Sequence, residues 1–114
     1  MIDDQAAIRM LLRTVLENAG YTVREAASGQ MALALYREQR PDLVITDLVM
    51  PEMTGLDLIL EMTREFLDAK VIAMTGEISE EGLQTAKLLG ARHTFHKPFS
   101  MDKLLTAIRY ELAH

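Results

Sequence analysis

Four apolar runs in this sequence end on residues able to do chemistry. Asp3 and Asp4 follow Met1-Ile2, and Asp47 follows Leu43-Val44-Ile45-Thr46. Thr75 follows Val71-Ile72-Ala73-Met74, and Lys97 follows Phe95-His96. If those runs are parallel strands, their ends share one edge of one sheet. Acids, a hydroxyl and a lysine then meet in one crevice. Clustered carboxylates are hard oxygen ligands for a divalent cation. Such a crevice can bind a phosphoryl group on a carboxylate, because the cation neutralises oxygen charge.

The elements that must place these residues alternate along the chain. Leu43–Thr46 and Val71–Met74 are short continuous apolar runs, suited to strands covered on both faces by helices. Tyr21–Ala26 alternates and reads as an edge strand, and His93–His96 completes the set from context. A first helix is predicted from Ala6 to Ala19, with Ile8, Leu11, Leu12, Val15 and Leu16 on one face and Gly20 as its stop. A second runs from the N-cap Ser28 to Gln39. A third spans Thr54 to Phe66, turning Leu56, Ile59, Met62 and Phe66 inward. The fourth, Ser79 to Leu89, has few apolar residues and is expected to pack least firmly. The last begins after Ser100, with Leu104, Leu105 and Ile108 on one face. Alternation of this kind predicts an α/β fold, a five-stranded doubly wound parallel sheet built as (βα)5. Ligands of such sheets bind beyond the C-terminal strand ends.

The 114 residues suffice for one domain. Only Met1 and Ile2 stand before the acidic pair, so the first strand reads as truncated and residues before Met1 are expected. There is no cysteine, which removes disulfide and thiolate chemistry and fits a cytoplasmic protein. A net charge of -5 argues against general nucleic-acid binding. No apolar run approaches the roughly 20 residues of a membrane span. The eight methionines read as adaptable core filling. His93, His96 and His114 do not follow a trusted metal-site spacing.

Taken together, Ile-Asp-Asp at 2–4, Asp-Leu-Val-Met-Pro-Glu-Met-Thr-Gly at 47–55, Ala-Met-Thr-Gly at 73–76 and Lys-Pro-Phe at 97–99 carry a specific pattern. Over essentially its full length the chain resembles the receiver domains of bacterial two-component response regulators, above all the single-domain receivers of phosphorelays. The resemblance implies the flavodoxin-like strand order 2-1-3-4-5. It implies that Asp47 accepts a phosphoryl group from the phosphohistidine of a histidine kinase or histidine phosphotransfer protein. Asp3, Asp4, Asp47 and the Val49 carbonyl would hold Mg2+, or Mn2+ in its place, with Asp3 acting through a water. Thr75 and Lys97 would contact the phosphate, as would the backbone at Leu48, Val49 and Gly76. Such a chain promotes its own phosphorylation and slow dephosphorylation without being a conventional enzyme.

The pattern departs from the family at Thr94, three residues before Lys97, where receivers usually carry a switch aromatic. Strand alternation sends Phe95 to the opposite face, into the core. The usual threonine–aromatic coupling is thereby weakened, which favours a relay over a strong conformational output. Ala6, Ala7 and Met10 beside the acidic pair form an expected docking face for the phosphodonor. An output domain or downstream protein would use the fourth helix, fifth strand and fifth helix. The alternative function is a degenerate receiver that binds partners without phosphorylation. A phosphatase acting on small substrates is disfavoured because Val49 stands where such enzymes carry a second acid.

Overall fold

The structure, a computed structural model, describes residues 1–3, 5–48, 53–76, 80–97 and 100–113. Its elements in chain order are α1 (Ala6–Asn18), α2 (Gly29–Glu38), β1 (Val44–Asp47), α3 (Gly55–Glu65), β2 (Val71–Thr75), α4 (Glu80–Leu89), β3 (His93–His96) and α5 (Met101–Ala113). The three strands form a parallel sheet in the order β1-β2-β3. Ile2 adds parallel bridges to Thr46 on one side and to Ala26 on the other. Across the sheet the order is therefore the Ala26 segment, Ile2, β1, β2, β3, which is the 2-1-3-4-5 order of a doubly wound fold.

The sheet is the middle of three layers. Alternate residues of β1 and β2 serve opposite faces. Val44, Val71 and Ala73 join a core with Leu33, Tyr36, Leu58, Ile59, Met62 and Ala86 from α2, α3 and α4. Ile45, Ile72 and Met74 join Leu12, Leu16, Leu104 and Ile108 from α1 and α5, with Phe95 packed against them. Both strands are buried throughout, as expected of runs covered on two faces.

The expected helices are present, with differences in detail. Ser28 caps α2 by accepting from the Met31 N–H, and Thr54 caps α3 by accepting from Asp57. Gly20 and Gly90 follow α1 and α4 with φ of 96° and 125°, a left-handed backbone that stops a helix. Leu11 is exposed rather than inward, because α1 meets the sheet along a narrow stripe centred on Leu12 and Leu16. On α3 the buried centre is Leu58, Ile59 and Met62, with Leu56 and Phe66 only flanking it. In α4 Ala86 is fully buried and Leu88 stands in solvent. The expected strand at Tyr21–Ala26 is reduced to a bridge at Ala26. Among the described residues its backbone pairing is at Ala26, whose N–H donates to the Met1 carbonyl at 3.0 Å and whose carbonyl accepts from Asp3 at 3.2 Å.

The ends of the strands away from the predicted site are tied by ion pairs. Arg37 on α2 forks onto Glu65 of α3 at 2.7 and 2.9 Å. Arg40 pairs with Asp68 at 2.6 Å and lies over the Phe66 ring at 4.6 Å. Glu111 of α5 is buried and meets His93 at 2.8 Å and Arg92 at 3.5 Å, while Lys70 donates to its carbonyl.

Candidate functional site

Parallel register brings the predicted residues to one edge. Ile2 pairs with Thr46, so Asp3 lies beside Asp47. Asp47 pairs with Met74, so Thr75 stands one residue beyond it on the next strand. Thr75 pairs with His96, and the Lys97 N–H donates to the Thr75 carbonyl at 2.6 Å. Asp3, Asp47 and Thr75 are all buried, with 0%, 5% and 3% of their surface exposed. Burial of ionised groups demands compensation.

Lys97 supplies it. Its Nζ lies 3.0 Å from Asp3 Oδ2 and 3.3 Å from Asp47 Oδ2. Burial alone would pull the Lys97 pKa down. The Asp3 hydrogen bond and the Asp47 and Asp3 charges outweigh it and raise the pKa above its ordinary value. The other Asp3 oxygen, Oδ1, accepts from the Gln5 N–H at 2.9 Å. Asp3 is thus more than a helix cap: the N-cap of α1 is Gln5, which makes no side-chain cap bond.

Among the described residues, the buried carboxylates of Asp3 and Asp47 face the Lys97 ammonium at the strand edge. Carboxylate oxygens suit a hard divalent cation, so Asp3 and Asp47 fit magnesium. Asp4 and Val49, the other expected ligands, lie outside the described residues. Leu48 is buried, and its N–H donates to the Met74 carbonyl at 2.9 Å. Its backbone N–H thus pairs with the neighbouring strand in this structure. Gly76 follows Thr75, and a Cβ there would meet the Lys97 stem at 3.7 Å, an ordinary contact.

Thr94 pairs with Ala73 and is half-buried, on the face that Ala73 shares with α2, α3 and α4. Phe95 packs toward α1 and α5, as alternation predicts. Ala6, Ala7 and Met10 are exposed on α1, next to the buried Asp3. His93 sits on Glu111, far along β3 from Lys97.

Two contributors were given no role by the sequence, although Gly55 closes the motif at 47–55. Gly55 lets the start of α3 press onto β1, since a Cβ there would lie 2.1 Å from the Asp47 carbonyl oxygen. Its N–H donates to the Leu48 carbonyl at 2.9 Å. Arg9 donates to the Asp3 carbonyl at 2.6 Å. Both signals are tertiary.

The sequence matches the response regulator receiver domain over residues 1–109. The chain belongs to the response regulator receiver family. This receiver is 37% identical over 109 residues to Sporulation initiation phosphotransferase F of Bacillus subtilis (strain 168), covering 96% of this chain and 88% of that one. Its fold superimposes with a TM-score of 0.93 on a CheY-like receiver domain protein from Methanospirillum hungatei JF-1, at 29% identity, over 98% of this chain and 90% of that one. It is also similar to the response regulator protein TrrA from Thermotoga maritima, solved in complex with Mg(2+)-BeF: TM-score 0.88, 31% identity, 96% of this chain and 94% of that one. The receiver is thus a signalling module of two-component phosphotransfer. Among the described residues no helix is long and apolar enough to cross a membrane.

Proposed function

We propose that Asp47 is the phospho-acceptor of this receiver, taking its phosphoryl group from the phosphohistidine of a histidine kinase or histidine phosphotransfer protein. The observation that carries the reading is Lys97, which bridges the buried carboxylates of Asp3 and Asp47 at 3.0 and 3.3 Å. An Asp47 oxygen forms the new O–P bond as the N–P bond of the donor imidazole breaks. The imidazole nitrogen keeps the electron pair and takes up a proton. Asp3 and Asp47, with Asp4 and the Val49 carbonyl as the sequence implies, would hold Mg2+ or Mn2+, which supplies neutralisation of oxygen charge when bound. Lys97 turns from the Asp47 carboxylate to the acyl phosphate formed on it. Thr75 donates its hydroxyl to a phosphate oxygen, and the Gly76 N–H approaches the same group.

The donor docks over Ala6, Ala7 and Met10, small or flexible exposed residues that let an imidazole approach Asp47. A downstream partner meets the face of α4, β3 and α5, where Leu88 and Tyr110 are exposed. With Thr94 in place of a switch aromatic, this receiver passes its phosphoryl group onward rather than driving a large rearrangement. All of this takes place in the cytoplasm.

The test is incubation with magnesium and acetyl phosphate, followed by intact mass. The expected result is a phosphoryl mass gain that Asp47→Asn abolishes. No gain from acetyl phosphate or from a phosphorylated histidine donor would reject the reading in favour of a phosphorylation-independent binding module.

A further inference from the structure

We propose that Arg9 is a positioning residue for the acidic edge, acting with Glu25 to hold Asp3 in register for a divalent cation. Ile2 is paired on both sides: its N–H donates to the Ile45 carbonyl at 2.7 Å, its carbonyl accepts from Asp47 at 2.9 Å, and beyond it the Asp3 N–H donates to the Ala26 carbonyl at 3.2 Å. The Asp3 carbonyl then leaves the ladder and accepts from Arg9 Nη1 at 2.6 Å. Arg9 Nε lies 3.3 Å from Glu25 Oε1, and Glu25 precedes Ala26 in the chain. The contacts therefore close a ring: Asp3 to Arg9, Arg9 to Glu25, Glu25 through the main chain to Ala26, and Ala26 back to Asp3. Arg13, one turn along α1, meets the other Glu25 oxygen at 2.6 Å and keeps that carboxylate in place.

This ring adds a side-chain clasp to the backbone pairing of Asp3. Asp3 then presents one oxygen to Gln5 and the other to Lys97 and the crevice. A guanidinium suits the task because its donors sit on one rigid fork and can serve two acceptors at once, which a single ammonium does with less geometric control. Outer partners of metal ligands commonly act this way, and their loss weakens metal binding by about 10–100-fold.

A competing account treats Arg9 as a charge only. A cation near an acidic site repels a second cation, so on that account removing it would tighten metal binding. The two accounts differ in sign, and the inference rests on the metal role proposed above.

The measurement is Mn2+ affinity of the whole chain, read from the loss of the free-ion EPR signal at fixed ionic strength without a phosphodonor. Arg9→Met is expected to weaken binding about tenfold. Arg9→Lys should weaken it severalfold although the charge is kept, and Glu25→Gln should do the same. The double variant Arg9→Met/Glu25→Gln should bind no more weakly than Arg9→Met, since both changes open one ring. Equal or tighter binding by Arg9→Met, or wild-type affinity in Arg9→Lys, would overturn the inference. Thermal melts accompany each variant, and if Arg9→Met does not fold, Arg9→Lys and Glu25→Gln carry the test. Wild-type chain that takes up no Mn2+ would instead remove the metal reading itself.

Discussion

Lys97 reaches two buried carboxylates from the end of β3, and its acid–base state follows from them. Replacing it with methionine strands two acids at the strand edge. In EDTA, Lys97→Met is expected to cost about 1–3 kcal/mol, seen as a lowered melting temperature that added magnesium partly restores. The pH dependence has a definite sign. The Lys97 pKa lies above its ordinary 10.5 in the folded chain, through its hydrogen bond to Asp3 and the charge of Asp47 against burial. The stabilisation is therefore complete below that value and fades as pH rises through the folded pKa. Melts of wild type and Lys97→Met should keep a constant gap from pH 7 to about 10 and converge above it. At this scale the sequence was highly legible. Asp3, Asp47, Thr75 and Lys97 each end an apolar run, so a parallel sheet had to gather them. Arg9 was not legible, because an arginine on an amphipathic helix looks the same whether it faces water or clasps a carbonyl.

The helices and strands meet at glycines whose replacements separate backbone cost from steric cost. Gly20 has open space around it, so Gly20→Ala should cost only the backbone term, about 1 kcal/mol. Gly90 shares the left-handed conformation, but a Cβ there lies 2.7 Å from Thr63 Cγ2. Gly90→Ala should therefore cost more than Gly20→Ala in urea unfolding. A Thr63→Ser background should recover the excess, since serine lacks that methyl and keeps the hydroxyl that donates to the Leu89 carbonyl. Gly55→Ala should be worse than either and should lower acetyl phosphate labelling, because its Cβ collides with the Asp47 carbonyl oxygen. The stops at Gly20 and Gly90 and the caps at Ser28 and Thr54 were readable as local chemistry. The shrinkage of Tyr21–Ala26 to a bridge was not. Its own alternation is strand-like, and pairing is a tertiary property that alternation does not record.

In the whole molecule, three layers place the Asp3, Asp47 and Lys97 cluster at one rim of the sheet and the ion-pair clasps at the other. Thr94 lies on the α4 side with no aromatic ring to swing. Magnesium with beryllofluoride, a phosphoryl mimic, should accordingly shift amide resonances at Asp3, Asp47, Thr75 and Lys97 and leave those of α5 little changed. Broad shifts across α5 would favour a conformational output instead. The opposite rim has its own consequence. Glu111 takes Lys70, Arg92 and His93 where β2 and β3 begin, and Arg37 and Arg40 bind α2 and its following loop to the end of α3. β2 and β3 are thus anchored where the chain enters them, while Asp47 and Lys97 bring charge to the ends where the chain leaves β1 and β3. Hydrogen exchange should follow this polarity, slow at Ile72 and faster at Thr75 and Gly76 along the same strand. On the proposed phosphorylation of Asp47 the sheet would work as a cantilever: fixed at one end, it would let the charged rim adjust to a phosphoryl group without loosening the root.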